Sequence, residues 1–165
     1  MKVKFMPNVY AILGDSNTRK SSTVRALTGA PMQHNPWSVA TTPPTGNIEV
    51  YVQIKALQED NINEEQFVGK IAEVDQYHNK LGLRPVHNIL IPLRISAVNG
   101  FHDGTVYLQY FAQAGWNIHQ IVVLGTTTLL SPLPAGAPAP NQIPYSTTMP
   151  ANQIASYIRG WWGWL

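Results

Sequence analysis

The stretch Val9-Tyr10-Ala11-Ile12-Leu13-Gly14-Asp15-Ser16-Asn17-Thr18-Arg19-Lys20-Ser21-Ser22-Thr23 decides how this chain folds. A short apolar run breaks at Gly14 into a polar loop that ends in Lys-Ser. Such a run ending at glycine suits a buried parallel strand, and Lys20–Thr28 (KSSTVRALT), followed by Gly29, reads as a helix with glycine just past its end. The loop between them opens onto a helix N-terminus, where backbone N–H groups lack intrahelical partners and the helix dipole favours an anion.

On these residues the chain resembles the P-loop NTPases, whose pattern is G-x-x-x-x-G-K-[ST]. Gly14, Lys20 and Ser21 fall on the matching positions. The resemblance covers about fifteen residues and points to no subfamily. It implies that the backbone from Gly14 through Asp15, Ser16, Asn17, Thr18 and Arg19 to Lys20, Ser21 and Ser22 cradles phosphates, with Lys20 on the β- and γ-phosphates and the Ser21 hydroxyl on Mg2+. Arg19 departs from the pattern, which has glycine there; it either adopts an unusual backbone conformation or marks a loop of different shape. The plainer alternative is a polar strand-to-helix turn whose Ser and Thr cap the helix while Lys20 is solvated.

Outward from this stretch, 165 residues with 44% hydrophobic and 12% charged side chains suit one compact domain. Eleven Lys and Arg against nine acids give a net charge of +2 with no basic run, so duplex nucleic acid is not an expected partner. The absence of cysteine removes disulfides, thiolate catalysis and Cys-ligated zinc together. The start, Met1-Lys2-Val3-Lys4-Phe5-Met6-Pro7, lacks a secretory apolar stretch, and no run reaches the length of a membrane span. A cytoplasmic protein is the expectation.

Ala30–Asn47 reads as a long polar connection carrying Trp37, Thr41, Thr42 and Thr45, either a surface loop pinned by Trp37 or a segment that brings a threonine to a metal. Ile48–Ala56 alternates cleanly, with Glu49, Tyr51, Gln53 and Lys55 on a wetter face, which places the strand toward a sheet edge or under a partly open face. Asn63 as N-cap with Gln66 three residues on, then Phe67, Ile71, Val74 and Leu81, predicts a helix that Gly82 stops. Its acids, Glu64, Glu65, Glu73 and Asp75, are expected to form a solvated face and a favourable first turn.

Asn88–Val98 is a second apolar strand, expected beside the first, with Pro92 suggesting a bulge and Arg94 either exposed or reaching a phosphate. P-loop enzymes usually end one such strand in an acid. Here Ser96 stands near that end and the first acid is Asp103, so Asp103 is the candidate Mg2+ or general-base carboxylate, together with Lys20 as the catalytic pair. Asp103 also sits at the N-cap of a helix over Gly104–Ala114. His34, His78, His87, His102 and His119 show no metal-pair spacing, and no G-x-S-x-G turn occurs.

Ile118–Leu124 reads as a last strand, with Thr126, Thr127 and Thr128 placed where a bound base would lie. No Asn-Lys-x-Asp signature appears, since Asn79-Lys80-Leu81-Gly82 lacks the acid, so adenine is the default base. Ser131–Pro150, with six prolines, is expected as an extended arm. Ala151–Ile158 reads as a helix, and Trp161, Trp162 and Trp164 are expected to dock on their own domain; the alternatives are a subunit contact and a peripheral membrane touch, the latter disfavoured because only Arg159 supplies nearby positive charge.

The expected organisation is an α/β domain over 1–130, a proline-rich arm over 131–150, and a C-terminal helix and tail over 151–165 packed on the same domain. Strands alternating with helices imply a three-layer, mostly parallel sheet with helices on both faces and about four main strands, P-loop-like in layout. The resemblance implies an ATP-binding kinase or NTPase using Mg2+. Two alternatives stand beside it, a non-catalytic phosphate-binding or assembly module of the same fold and a flavodoxin-like FMN-binding domain.

Overall fold

The computed structural model describes residues 6–29, 35–41, 46–83 and 85–165, with the backbone alone for 35–40. Its elements run β1 (Asn8–Gly14), α1 (Lys20–Thr28), β2 (Asn35–Ala40), β3 (Asn47–Val52), α2 (Glu64–Lys80), β4 (Asn88–Arg94), α3 (Gly104–Gln113), β5 (Asn117–Leu124), β6 (Asn141–Ile143) and α4 (Ala151–Trp162). The sheet order is β2-β3-β4-β1-β5-β6. Five strands from β3 to β6 are parallel, and β2 pairs antiparallel with β3 at the edge.

β1 lies centrally because both its faces are apolar. Val9, Ala11 and Leu13 point to one core with Phe67 and Ile71 of α2 and Tyr107 and Phe111 of α3. Tyr10 and Ile12 point to the other, with Val24 and Leu27 of α1 and Ile154, Ala155 and Ile158 of α4. The result is a three-layer α/β fold, P-loop-like in layout, with α2 and α3 on one face and α1 and α4 on the other. Asn63 and Gln66 close the expected capping box on α2, each side chain bonding the other's backbone N–H at 2.8 and 2.9 Å.

Several expectations change. β4 keeps an unbroken register with β1, so Pro92 causes no bulge in that pairing. Ile95 N–H bonds Gly14 on the β1 side, so by the alternation of a parallel strand the N–H that Pro92 lacks would face β3. There β3 has already ended, its pairing with β4 running only to Val52 and Leu90. The irregularity lies instead in β5, where the pairing skips His119 between Ile118 and Gln120.

β3 is shorter than the sequence alternation suggests, and its wetter-looking face is covered: Tyr51 packs into the α2–α3 core, and Gln53 is fully buried. The long connection after α1 contains β2, whose backbone pairs with β3, and Thr41 bridges to Trp164. Thr42, Thr45, His34 and the Trp37 side chain lie outside the described residues.

The proline-rich arm is likewise not wholly irregular. Its Asn141–Ile143 segment, between Pro140 and Pro144, becomes the parallel edge strand β6 on Val122–Leu124. A single 3-10 turn, Ser146–Thr148, then leads into α4.

α4 extends through Trp162, four residues beyond the expected end at Ile158. Trp162 and Trp164 are buried against Tyr10, with ring centroids 5.0 to 5.2 Å apart among the three, whereas Trp161 stays 40% exposed. The Arg159 guanidinium donates to the Ala26 carbonyl and so ties α4 to the last turn of α1. Docking of the tail therefore belongs to two of its three tryptophans. Trp164→Ala is expected to cost about 3–5 kcal/mol, the usual range for truncating a buried aromatic. Chemical denaturation at two protein concentrations, beside light scattering, should show the same loss at both and an unchanged particle mass.

Candidate functional site

The loop from Gly14 to Lys20 leaves the C-terminal end of the central strand and enters α1. Arg19 is the N-cap residue, with φ 72° and ψ 26°, and Asn17 has φ 63°. Asparagine visits this left-handed region readily; arginine does so against about 1–2 kcal/mol of steric cost. The loop therefore takes the positive-φ backbone that glycine would supply, with Arg19 strained into it. Its guanidinium reaches across to the Thr147 carbonyl at 3.2 Å.

Gly14 is required by close approach. A Cβ there would sit 2.4 Å from Thr18 Oγ1 and 3.0 Å from the Leu124 carbonyl. Thr18 is turned back beneath the loop, its hydroxyl donating to the Asp15 carbonyl at 2.8 Å. Ser16, Asn17 and Ser22 face solvent, and Ser21 is half-buried.

Lys20 is nearly enclosed, at 5% exposure, and its Nζ donates to the Asp15 carbonyl at 2.7 Å. The solvated-lysine alternative does not describe it. Burial pulls its pKa down to about 8; the negative charges of Glu59 and Asp15 oppose that shift and the positive Arg94 adds to it. No side chain caps α1 and no acid lies in its first turn, so the positive end of the helix dipole is unneutralised beside this ammonium.

The Asp15 side chain anchors the loop to both neighbouring strand ends. Its Oδ1 accepts from Ser96 Oγ at 2.8 Å, just past β4, and its Oδ2 from Thr127 Oγ1, just past β5. Desolvation raises its pKa, but these two hydrogen bonds, with Arg94 and Lys20, outweigh it and hold the carboxyl below the usual aspartate value. Thr127 thus lies at the loop; no comparable contact brings Thr126 or Thr128 there.

Arg94 stands level with Gly14 in the register, at the end of β4 where the resemblance leads one to look for an acid. It pairs with Glu59 at 3.8 Å. Buried Gln58 clasps the same residue through its backbone, accepting from Arg94 N–H at 3.0 Å and donating to Arg94 O at 3.1 Å and His102 O at 3.2 Å. In effect a side chain continues the ladder that β3 abandons.

Asp103 caps α3. Its Oδ1 accepts from Thr105 N–H at 3.0 Å and Val106 N–H at 3.2 Å, and the hydrogen bonds of its carboxylate do not connect it to the loop. His102 pairs with Glu64 at 2.7 Å, on the α2 side. Among the described residues no group of three or more His, Asp and Glu side chains is placed to hold a metal ion.

Gln58-Glu59-Asp60 lies in a turn beyond β3, which ends at Val52 and not at the Ala56 that the sequence alternation suggests.

Comparison with protein-family models, with curated proteins and with solved structures finds no match to this chain. Fold and geometry define a three-layer α/β protein in which the central strand β1 runs through a tight loop into α1.

The depressed pKa of Lys20 has a testable sign. Below about pH 8 it is charged in the folded and unfolded chain alike; from about pH 8 to its ordinary value only the unfolded chain keeps the proton, so stability relative to Lys20→Met should rise over that window. Denaturation of the two proteins at pH 7 and 9 reads the trend.

Proposed function

We propose that this chain is a nucleotide-binding P-loop protein, with ATP the default nucleotide, acting as a phosphotransferase or NTPase. The observation that carries the reading is the buried Lys20 ammonium, folded onto a loop carbonyl at the uncapped N-terminus of α1. A lysine in that position has been desolvated for a partner more negative than a carbonyl, and phosphate oxygens meet both the ammonium and the helix end.

Lys20 then holds the β- and γ-phosphates, and the backbone from Gly14 to Ser22 wraps them. Mg2+ fits this donor set only in part: the Ser21 hydroxyl is half-buried in the first turn and available in type, while both Asp15 oxygens are already engaged. A bound Mg2+ would be held from the protein side by the Ser21 hydroxyl and would supply charge neutralisation to the phosphates.

A second reading, a non-catalytic phosphate-binding module, draws on Arg94 at the end of β4 in place of an acid. The flavodoxin-like reading has less behind it. That order sets the second parallel strand beside the first, whereas here β4 intervenes between β1 and β3.

Lys20→Met, which removes the buried charge but keeps most of the apolar stem, is expected to weaken ATP binding at least tenfold while leaving the melting temperature close to that of the wild type. Isothermal titration beside a thermal melt measures both, and equal affinities in the two proteins would remove the phosphate-loop reading.

A further inference from the structure

We infer that Glu59, from the turn between β3 and α2, is the acid of this site, taking the proton of the group that attacks the terminal phosphate. The inference rests on the phosphate-loop reading above and goes beyond it by naming a residue outside every sequence motif.

The argument is one of elimination followed by geometry. Three carboxylates near this edge of the sheet are committed elsewhere: Asp15 accepts with both oxygens, Asp103 caps α3, and Glu64 is buried against His102. Asp60, next to Glu59, accepts from Gln53 Nε2 at 2.7 Å. Glu59 has only the long 3.8 Å contact with Arg94, and its side chain is 35% exposed, so a carboxylate oxygen remains open to a small nucleophile.

Its position is well determined despite that exposure. Gln58 grips the end of β4 through two hydrogen bonds and the His102 carbonyl through a third, and the turn itself is closed by backbone bonds from Glu59, Asp60 and Ile62 back to Ala56 and Leu57. Arg94, level with Gly14, places Glu59 at the strand end that faces the loop, and the Glu59 charge is felt at Lys20. One cation and one anion are therefore held together at the edge of the phosphate site, with the Arg94 Nε buried and without a hydrogen-bond partner.

In the step this permits, the oxygen of a water or an acceptor hydroxyl forms a bond to the γ-phosphorus as the bond to the bridging oxygen of ADP breaks. The proton of that water or hydroxyl passes to Glu59, which returns it to solvent. Arg94 acts as a positioning residue, holding the carboxylate and adding positive charge beside the transferred group.

The experiment uses the whole chain with ATP and Mg2+, reading binding by calorimetry and ADP formation by a coupled assay. Glu59→Gln should bind ATP within about threefold of the wild type and lose turnover by about 10²–10⁴-fold, the usual contribution of a positioned base. Glu59→Asp, which keeps a carboxylate on a shorter arm, should recover part of that turnover, an outcome a merely structural role does not give. Full turnover in Glu59→Gln overturns the assignment, and so does a loss confined to Asp103→Asn. Lys20-dependent binding without any turnover in the wild type also overturns it, in favour of the non-catalytic module. Binding that ignores Lys20 removes the phosphate-loop reading itself, and the inference with it.

Discussion

A single carboxylate, that of Asp15, holds the centre of this molecule together. It leaves the end of the first strand and accepts a hydroxyl from each neighbour, Ser96 past β4 and Thr127 past β5. Hydrogen bonds to a charged acceptor are stronger than neutral ones, so three segments far apart in the chain meet at one point with defined geometry. The loop that follows inherits that definition. Thr18 and Lys20 both turn back onto the Asp15 carbonyl, Arg19 is driven into a left-handed conformation, and α1 starts without a side-chain cap.

What could be read from the sequence was what short-range chemistry encodes. The strand-loop-helix around Gly14, the Asn63–Gln66 capping box and the Asp103 cap all rest on residues within a few positions of one another, and each appears where the pattern put it. Gly29 ends its helix with positive φ for the same local reason.

The features that escaped depend on distant partners. Tyr51 and Gln53 look like a solvated strand face, but α2 and α3 cover that side, and Gln53 finds Asp60 and the Lys55 carbonyl as partners inside. β6 hides among prolines because three residues suffice for its ladder, and its partner strand lies about twenty residues earlier. The alternation of Ile48–Ala56 persists past Val52, where the strand ends, so the turn that follows is not marked by local pattern. The candidate site was thus half legible, its loop from local pattern and the neighbouring turn only from the packing of a buried glutamine against β4.

The two borders of the sheet also bear on how molecules of this protein meet one another. β6 exposes one row of backbone groups at the edge, but the row is three residues long and bounded by Pro140 and Pro144. A neighbouring chain attempting to add a strand would meet, on either side, a residue with no N–H to give and a fixed φ that turns the backbone away. The arm that supplies the last strand therefore also ends the sheet, so that a crowded suspension of this protein is protected from edge-to-edge growth along that border.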